Sequence, residues 1–389
     1  MTILVDMKNH IDTQLIHSHH RNSEREQSVC TPIFQSANYR YRGEDDYHKI
    51  QYLRLNNSPN HEVLHRTLEK IENAEAAIVT SSGMAAITST LLSTLKFGDH
   101  LLAQPCLYGG THTFLTRDIK DYGISVDFLL GNDPERWAQQ INKNTCAIYV
   151  EPLSNPLLEV ANLHAVLDLC KRFNLVSIID NTFLSPVNFQ PIPFGFDICI
   201  HSATKYLNGH SDIVAGAIIS NRSTISKIKK KLDHLGSTLD PHACFLLERG
   251  LKTLSLRMAR HNQSAQKLAE MLEAHPKVNQ VFYPGLTKHP GHSRAINLFS
   301  GFGGVLSFEV KGGVNAACAL IKELKIPVEA PSLGAVETLV TRPATTSHAG
   351  ISSSERAKIG ITDSLIRVSV GVESPTDILQ DFEFALNTI

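Results

Sequence analysis

Short apolar runs alternating with helical stretches constrain this chain more than any other feature. Strand candidates fall at residues 76–79, 100–103, 125–130, 146–150, 176–179, 197–200 and 213–219. A helical pattern over 62–74 precedes them, and others lie between them over 85–95 and 113–122. The first sets Val63, Leu64, Leu68 and Ile71 on one face. Strands that are apolar throughout must be covered on both sides, and parallel strands need a helical crossover. The pattern therefore predicts an α/β domain with a mostly parallel, buried sheet. Near residue 250 the texture changes. One long helix is predicted over 251–274, followed by a strand over 278–283 and a turn rich in glycine at Gly301, Gly303 and Gly304. A strand at 305–310, a helix at 315–324 and a strand at 365–370 complete a smaller α+β domain. Residues 1–60 are polar, with little apolar periodicity, and are expected to form an arm contacting a neighbouring subunit. His17, His19 and His20 in that arm read as solvated side chains, not metal ligands. The expected division is thus 1–60, 61–250 and 251–389. A length of 389 residues agrees with two domains at about 150 residues each.

Charge and cysteines remove several function classes. The 37 Lys and Arg balance 38 Asp and Glu, giving a net charge of −1 and no electrostatic footprint for nucleic acid or an anionic membrane. The basic run at 227–231 reads as a solvated helix face. No apolar stretch approaches the roughly 18 residues of a spanning helix, and the start carries Asp6 and Lys8 in place of a signal segment. The seven cysteines are dispersed, without a Cys-x-x-Cys pair, which argues against a disulfide framework or structural zinc. A cytoplasmic protein is expected.

In open α/β sheets, ligands bind beyond the carboxyl ends of the strands. After the first strand come Ser81, Ser82, Gly83 and Met84, small groups opening a helix whose N–H groups suit a phosphate. Tyr108 follows the second strand and offers a stacking face. Glu151, Ser154 and Asn155 follow the run 146–150. Asp180 closes the run 176–179 and, once buried, needs a partner such as a protonated heteroaromatic nitrogen. Ser202, Thr204 and Lys205 follow 197–200. The hydroxyls can add to a phosphate site, and a lysine of lowered pKa can attack a carbonyl. Each group alone has a plain structural reading. Together they provide a phosphate cradle, a stacker, an acid for a ring nitrogen and a lysine for an aldehyde, the requirements of pyridoxal 5′-phosphate.

These motifs resemble the Cys/Met-metabolism family of pyridoxal-phosphate enzymes from about residue 10 to the end. The most specific stretch, DICIHSATKYLNGHSD at 197–212, is similar to the family's Schiff-base signature, with Lys205 as the Schiff-base lysine. SSGMAA at 81–86, LYGGT from Leu107, EPLSNP from Glu151 and DNTF at 180–183 are similar to its cofactor segments. The resemblance implies that Asn155 approaches the cofactor's phenolic oxygen. It gives Arg367, in LIRVSVGVE, the substrate α-carboxylate, and Ser332 the positioning of the lysine. It also implies fold type I, the aspartate-aminotransferase architecture, and a homotetramer of two close dimers. In such tetramers a Tyr-x-Arg pair, here Tyr52 and Arg54, reaches the neighbour's phosphate.

Two departures stand out. Pro59 lies one residue later than the family's Tyr-x-Arg-x-x-Asn-Pro-Thr pattern places it. Pro331 precedes Ser332, where γ-synthases and γ-lyases often carry Glu and bacterial β-lyases an aromatic. The resemblance implies Lys205 as general base on Cα, aided by Tyr108. The expected reaction is carbon–sulfur lysis of L-cystathionine by β-elimination to homocysteine, pyruvate and ammonia. Cystathionine γ-synthase or γ-lyase activity stays open, as does a non-enzymatic regulator that binds the same cofactor. A dinucleotide site at Gly301, Gly303 and Gly304 is disfavoured, because that cluster precedes a strand and the fingerprint follows one.

Overall fold

The computed structural model describes residues 10–17, 28–129, 131, 133–350 and 352–389. His19, His20 and Leu130 lie outside the described residues. Seven strands make the large sheet: β1 Ala76–Thr80, β2 His100–Ala103, β3 Ser125–Phe128, β4 Thr145–Val150, β5 Val176–Asp180, β6 Ile198–His201 and β7 Gly216–Ser220. Their order is β1-β7-β6-β5-β4-β2-β3. β7 pairs antiparallel with both β1 and β6, and the other pairings are parallel. Only β7 therefore runs against the rest.

The apolar runs are sandwiched, as their composition requires. Successive residues of one strand enter opposite cores: Ile178, Ile198 and Ile200 pack on one face, Ile179 and Cys199 on the other. Helix starts follow the caps. Ser82 accepts from Ala85 N before the helix Gly83–Thr94, and Ser58 caps Pro59–Ile71 with Pro at the first helical position.

A second sheet has five strands in the order β10-β11-β12-β9-β8. They are β8 Val278–Phe282, β9 Val305–Val310, β10 Val328–Glu329, β11 Leu339–Thr341 and β12 Ile366–Ser369. The short β10 and β11 carry no clear period in sequence, and neither they nor the final helix Pro375–Thr388 are anticipated above. The helix expected over 251–274 is present as Leu254–Ala274, starting three residues later, and a separate helix, Pro241–Leu251, precedes it. Arg257 accounts for the joint. Its guanidinium is buried and donates to the carbonyls of Gly250 (2.7 Å) and Tyr206 (2.6 Å). The Gly250 carbonyl is thus turned to a side chain where a continuous helix would use it. Leu254 and Met258 belong to the core of the large sheet, whereas Leu268 and Leu272 belong to that of the small one. One helix therefore spans both cores.

The N-terminal segment is not free of its own subunit. Leu15, on the helix Ile11–His17, and Leu55 are each 1 % exposed. Asn60 accepts from Phe34 N (2.9 Å), and Thr31 bonds Glu248 (3.1 Å).

Arg257 also fixes the loop after Lys205. Gly209 has φ +78° and donates to the Lys205 carbonyl (2.8 Å), and a Cβ there would overlap the Arg257 guanidinium. Gly209→Ala is expected to cost at least about 2 kcal/mol, through left-handed strain and displacement of Arg257. Urea unfolding measures this. An unchanged midpoint would show that the loop is not held as described.

Candidate active site

Because only β7 is reversed, β1, β2, β4, β5 and β6 all deliver their carboxyl ends to one edge of the sheet. The candidate residues from those ends meet there. Gly83 approaches the β6 loop so closely that a Cβ would lie 2.7 Å from Ser202 Cβ and 2.8 Å from Ser202 Oγ. The N-terminus of Gly83–Thr94 and the Ser202 hydroxyl thus border one small space, with N–H groups and a helix dipole suited to an anion. Met84 and Tyr108 flank the same turn. A Cβ on Gly110 would lie 2.6 Å from the Tyr108 ring and 3.2 Å from Met84 Sδ. Tyr108 is 44 % exposed, an aromatic face open at the strand end. Thr204 is turned elsewhere: its hydroxyl donates to Ala215 O (3.1 Å) and accepts from Ala215 N (3.0 Å).

Asp180, at the end of β5, is 7 % exposed. Its carboxylate accepts from Thr182 N (3.0 Å), Thr182 Oγ1 (2.5 Å) and Tyr149 Oη (3.4 Å). Burial raises its pKa, while the Thr182 bonds oppose the rise. Glu151 lies in the same buried region. Burial first, and then the Asp180 charge, push its pKa well above normal. Its Oε1 accepts from Tyr108 N (2.8 Å), whereas Oε2 has no partner. Glu151 therefore holds the backbone from which the Tyr108 ring projects.

The small sheet supplies the other wall. Lys205 Nζ bonds Ser332 Oγ at 2.7 Å. Burial, and secondly the Arg367 charge, lower the lysine pKa to about 8. Ser332 sits at φ +110°, a strained conformation for serine, and Pro331 before it is exposed. Arg367 on β12 is 3 % exposed. Its Nη1 donates to Asn155 Oδ1 (3.0 Å) and its Nη2 to Ser332 O (3.0 Å), and its Nε has no partner. Burial lowers its pKa to about 10. Cys106 is a buried thiol facing Asn155 O (3.4 Å), with its pKa pushed up to about 12 by burial. It has the character of a core cysteine.

Tyr52 and Arg54 make their bonds away from this group. Arg54 donates to Asp233 O (2.5 Å) and to the Tyr47 hydroxyl, and its guanidinium lies 5.5 Å from the Tyr52 ring centre. The segment's turn contains Asn56 in the left-handed region, with Asn57 accepting from Tyr52 N (3.0 Å).

Sequence reasoning did not single out Tyr149 or Thr182, both of which bond Asp180. Tyr149 was legible only as a polar tip inside an apolar strand, and Thr182 only as a neighbour of Asp180. Among the described residues, Glu72, Cys199 and His201 also converge, fully buried, with Glu72 Oε1 2.5 Å from His201 Nε2. That arrangement is a buried acid–histidine pair behind β6, and Glu72 Oε2 in it has no partner.

Comparison with known proteins agrees with the geometry. The family model described as Cys/Met metabolism PLP-dependent enzyme matches residues 12–387. The chain is 38 % identical over 389 residues to a cystathionine beta-lyase of Coxiella burnetii, covering 99 % of this chain and 100 % of that one. It is 41 % identical over 341 residues to an L-methionine gamma-lyase of Fusobacterium nucleatum, covering 87 % and 86 %. A crystal structure of cystathionine gamma synthase from Xanthomonas oryzae superposes with a TM-score of 0.93 at 34 % identity, covering 97 % and 98 %. Whole-length similarity at this level leaves no other assignment: the chain belongs to the pyridoxal-phosphate-dependent enzymes of cysteine and methionine metabolism.

Proposed function

We propose that this protein is a carbon–sulfur lyase that cleaves L-cystathionine by β-elimination, giving homocysteine, pyruvate and ammonia. The observation that carries the choice is Pro331. It stands exposed beside Ser332, where a γ-enzyme would present a carboxylate to the substrate's distal amino group. The γ-synthase reading rests on the close superposition with the Xanthomonas oryzae enzyme, and γ-lysis uses the same core groups. A net charge of −1 favours a small-molecule substrate over nucleic acid. No helix among the described residues is long and apolar enough to cross a membrane, in keeping with a cytoplasmic enzyme.

The donor set fits pyridoxal phosphate. Lys205 carries an amine of lowered pKa, Asp180 is a buried carboxylate lacking a cation, and Gly83 leaves room beside Ser202. When bound, the cofactor supplies an aldehyde for amines and a ring that accepts the electrons released at Cα. Lys205, Gly83, Met84, Tyr108, Asn155, Asp180, Ser202 and Thr204 are the residues proposed to hold it. For Thr204 the hydroxyl must share its Ala215 bonds. Tyr52 and Arg54 are proposed to complete a neighbour's phosphate site in a homotetramer, which is consistent with their position apart from Lys205.

In this reading Arg367 receives the substrate α-carboxylate. Its unpartnered Nε and its fixed Nη contacts leave a planar donor edge already oriented by Asn155 and Ser332. Asp180 would be the residue that holds a proton at the cofactor's ring nitrogen. Lys205 Nζ, steered by Ser332 Oγ, takes the proton from Cα. The Cβ–S bond then breaks with its electron pair leaving on sulfur, and the thiolate is protonated. Water hydrolyses the remaining three-carbon fragment to pyruvate and ammonia. Tyr108 covers the open side of the reacting centre.

Two outcomes test this account. The cofactor-loaded protein is expected to release pyruvate from L-cystathionine, at a rate that Lys205→Ala lowers at least about 10³-fold. Release of 2-oxobutyrate would instead make the enzyme a γ-lyase. Absence of both, with activity on an activated homoserine ester, would make it a γ-synthase. Second, the lysine pKa of about 8 lies below the ordinary 10.5, so the reactive neutral amine accumulates as pH rises through 8. Capture of free pyridoxal by the apoprotein is therefore expected to rise with a midpoint near pH 8, and Arg367→Gln to move that midpoint upward. A midpoint near 10.5 in the native sequence would contradict a desolvated Lys205.

A further inference from the structure

The polar contact behind β6 has no part in the chemistry above, yet it sits directly beneath the site. Tyr149, which bonds Asp180, packs with Ile178 and Ile200 on one face of the large sheet, whereas Cys199 and Ile179 pack on the other. Side chains alternate along a strand, so His201 lies on the Cys199 face and Asp180 on the opposite one. Leu64, Leu68 and Ile71 of the helix Pro59–Ile71 belong to the core on the Cys199 face, and Glu72 caps that helix. Glu72 Oε1 meets His201 Nε2 at 2.5 Å, with Glu72 fully buried and His201 1 % exposed. At 2.5 Å these atoms are too close for two ligands of one tetrahedral ion, which stand about 3.3 Å apart, so the contact is a hydrogen bond. An apolar pair of similar volume would serve the core at least as well. The polar pair therefore calls for a role in fixing position.

We infer that Glu72 and His201 are positioning residues for the cofactor's ring nitrogen: their contact anchors the end of β6 from behind, so that the Ser202 N–H turns the Thr182 hydroxyl onto Asp180. The inference rests on the reading of Asp180 as the partner of that nitrogen. Every link in the chain is a short contact. Ser202, the residue after His201, donates its N–H to Thr182 Oγ1 (2.8 Å), and its carbonyl accepts from Lys205 N (3.1 Å). The Thr182 hydroxyl donates to Asp180 Oδ1 (2.5 Å). A hydroxyl has one proton, and with its oxygen engaged by Ser202 N–H that proton is directed to the carboxylate. Burial raises the Asp180 pKa and the Thr182 bonds lower it, so they favour the anion that a protonated ring nitrogen needs. The same peptide carries Ser202 Oγ to the space beside Gly83. A shift of β6 at His201 thus disturbs both the acid and the phosphate cradle.

The test uses Glu72→Leu, Glu72→Gln, Glu72→Asp and Thr182→Val, each loaded with ring-¹⁵N pyridoxal phosphate, with Asp180→Asn as reference. The ¹⁵N shift followed against pH gives the midpoint at which the ring nitrogen loses its proton, and equilibrium dialysis gives the cofactor Kd. Glu72→Leu is expected to lower the midpoint by about one pH unit or more and to raise Kd about 10-fold. Glu72→Gln, whose amide can donate to or accept from the imidazole, is expected to stay within about 0.5 pH unit and 3-fold of the native protein. Glu72→Asp, which withdraws the carboxylate from His201, is expected to fall between them and remains informative if Glu72→Leu does not fold. Thr182→Val is expected to reproduce Glu72→Leu, and the double variant to be within about 3-fold of either alone, because both act through one chain of contacts. Unchanged midpoint and Kd in Glu72→Leu, or in Glu72→Asp where that is the only folded variant, would overturn the inference. So would additive losses in the double variant, which would place Glu72 outside the Thr182 chain. Equal losses in Glu72→Leu and Glu72→Gln would also overturn it, because the hydrogen bond would then be irrelevant. If Asp180→Asn leaves the midpoint unchanged, the underlying reading of Asp180 fails, and that failure is separate from any result at position 72.

Discussion

The site is organised around buried charges without counter-charges of their own. Lys205 and Arg367 have hydroxyl and carbonyl partners but, among the described residues, no carboxylate in ion-pair contact. Among the described residues, the hydrogen bonds to the buried acids Asp180 and Glu151 come from neutral groups. Desolvating unpaired charges is costly, and proteins rarely accept it without a function. The signs are complementary to a zwitterionic substrate and a cofactor with a basic ring nitrogen. Arg367 lacks an anion, Asp180 lacks a cation, and the lysine between them is pushed toward its neutral, nucleophilic form.

Holding such groups apart requires a rigid frame, and two sheets provide it. The large sheet brings five strand ends to one edge because only β7 is reversed. The small sheet brings Arg367 across to Asn155 and Ser332 across to Lys205. The helix Leu254–Ala274 belongs to both cores, and Arg257 on it secures the backbone just beyond Lys205. The strain at Ser332 fits the same picture, since an unfavourable φ persists where surrounding contacts demand it. Gly334 allows that approach: a Cβ there would lie 2.7 Å from Tyr206 N.

Most of this frame was legible in the sequence because it depends on local pattern. Apolar runs such as 176–179 and 197–200 read as buried strands, and the groups at their ends read as a site. The parts that were not legible depend on contacts between distant segments. The break at residues 252–253 follows from a buried guanidinium that no helical period encodes. β10 and β11 are too short to show alternation, and they are recognised only by pairing, β11 with β12 and β10 with β11. Tyr149 and Thr182 matter through what they touch, and both bond Asp180, which motif reasoning had already found. The strands supplied the candidates, and tertiary contacts supplied the groups that hold them.

The central claim is that Asp180 is a buried anion awaiting a protonated ring nitrogen. It is tested most directly by the ¹⁵N chemical shift of ring-labelled pyridoxal phosphate bound to the protein. The account predicts a protonated nitrogen throughout the neutral range, and a deprotonated one in Asp180→Asn. An unprotonated nitrogen in the native protein at neutral pH would contradict it.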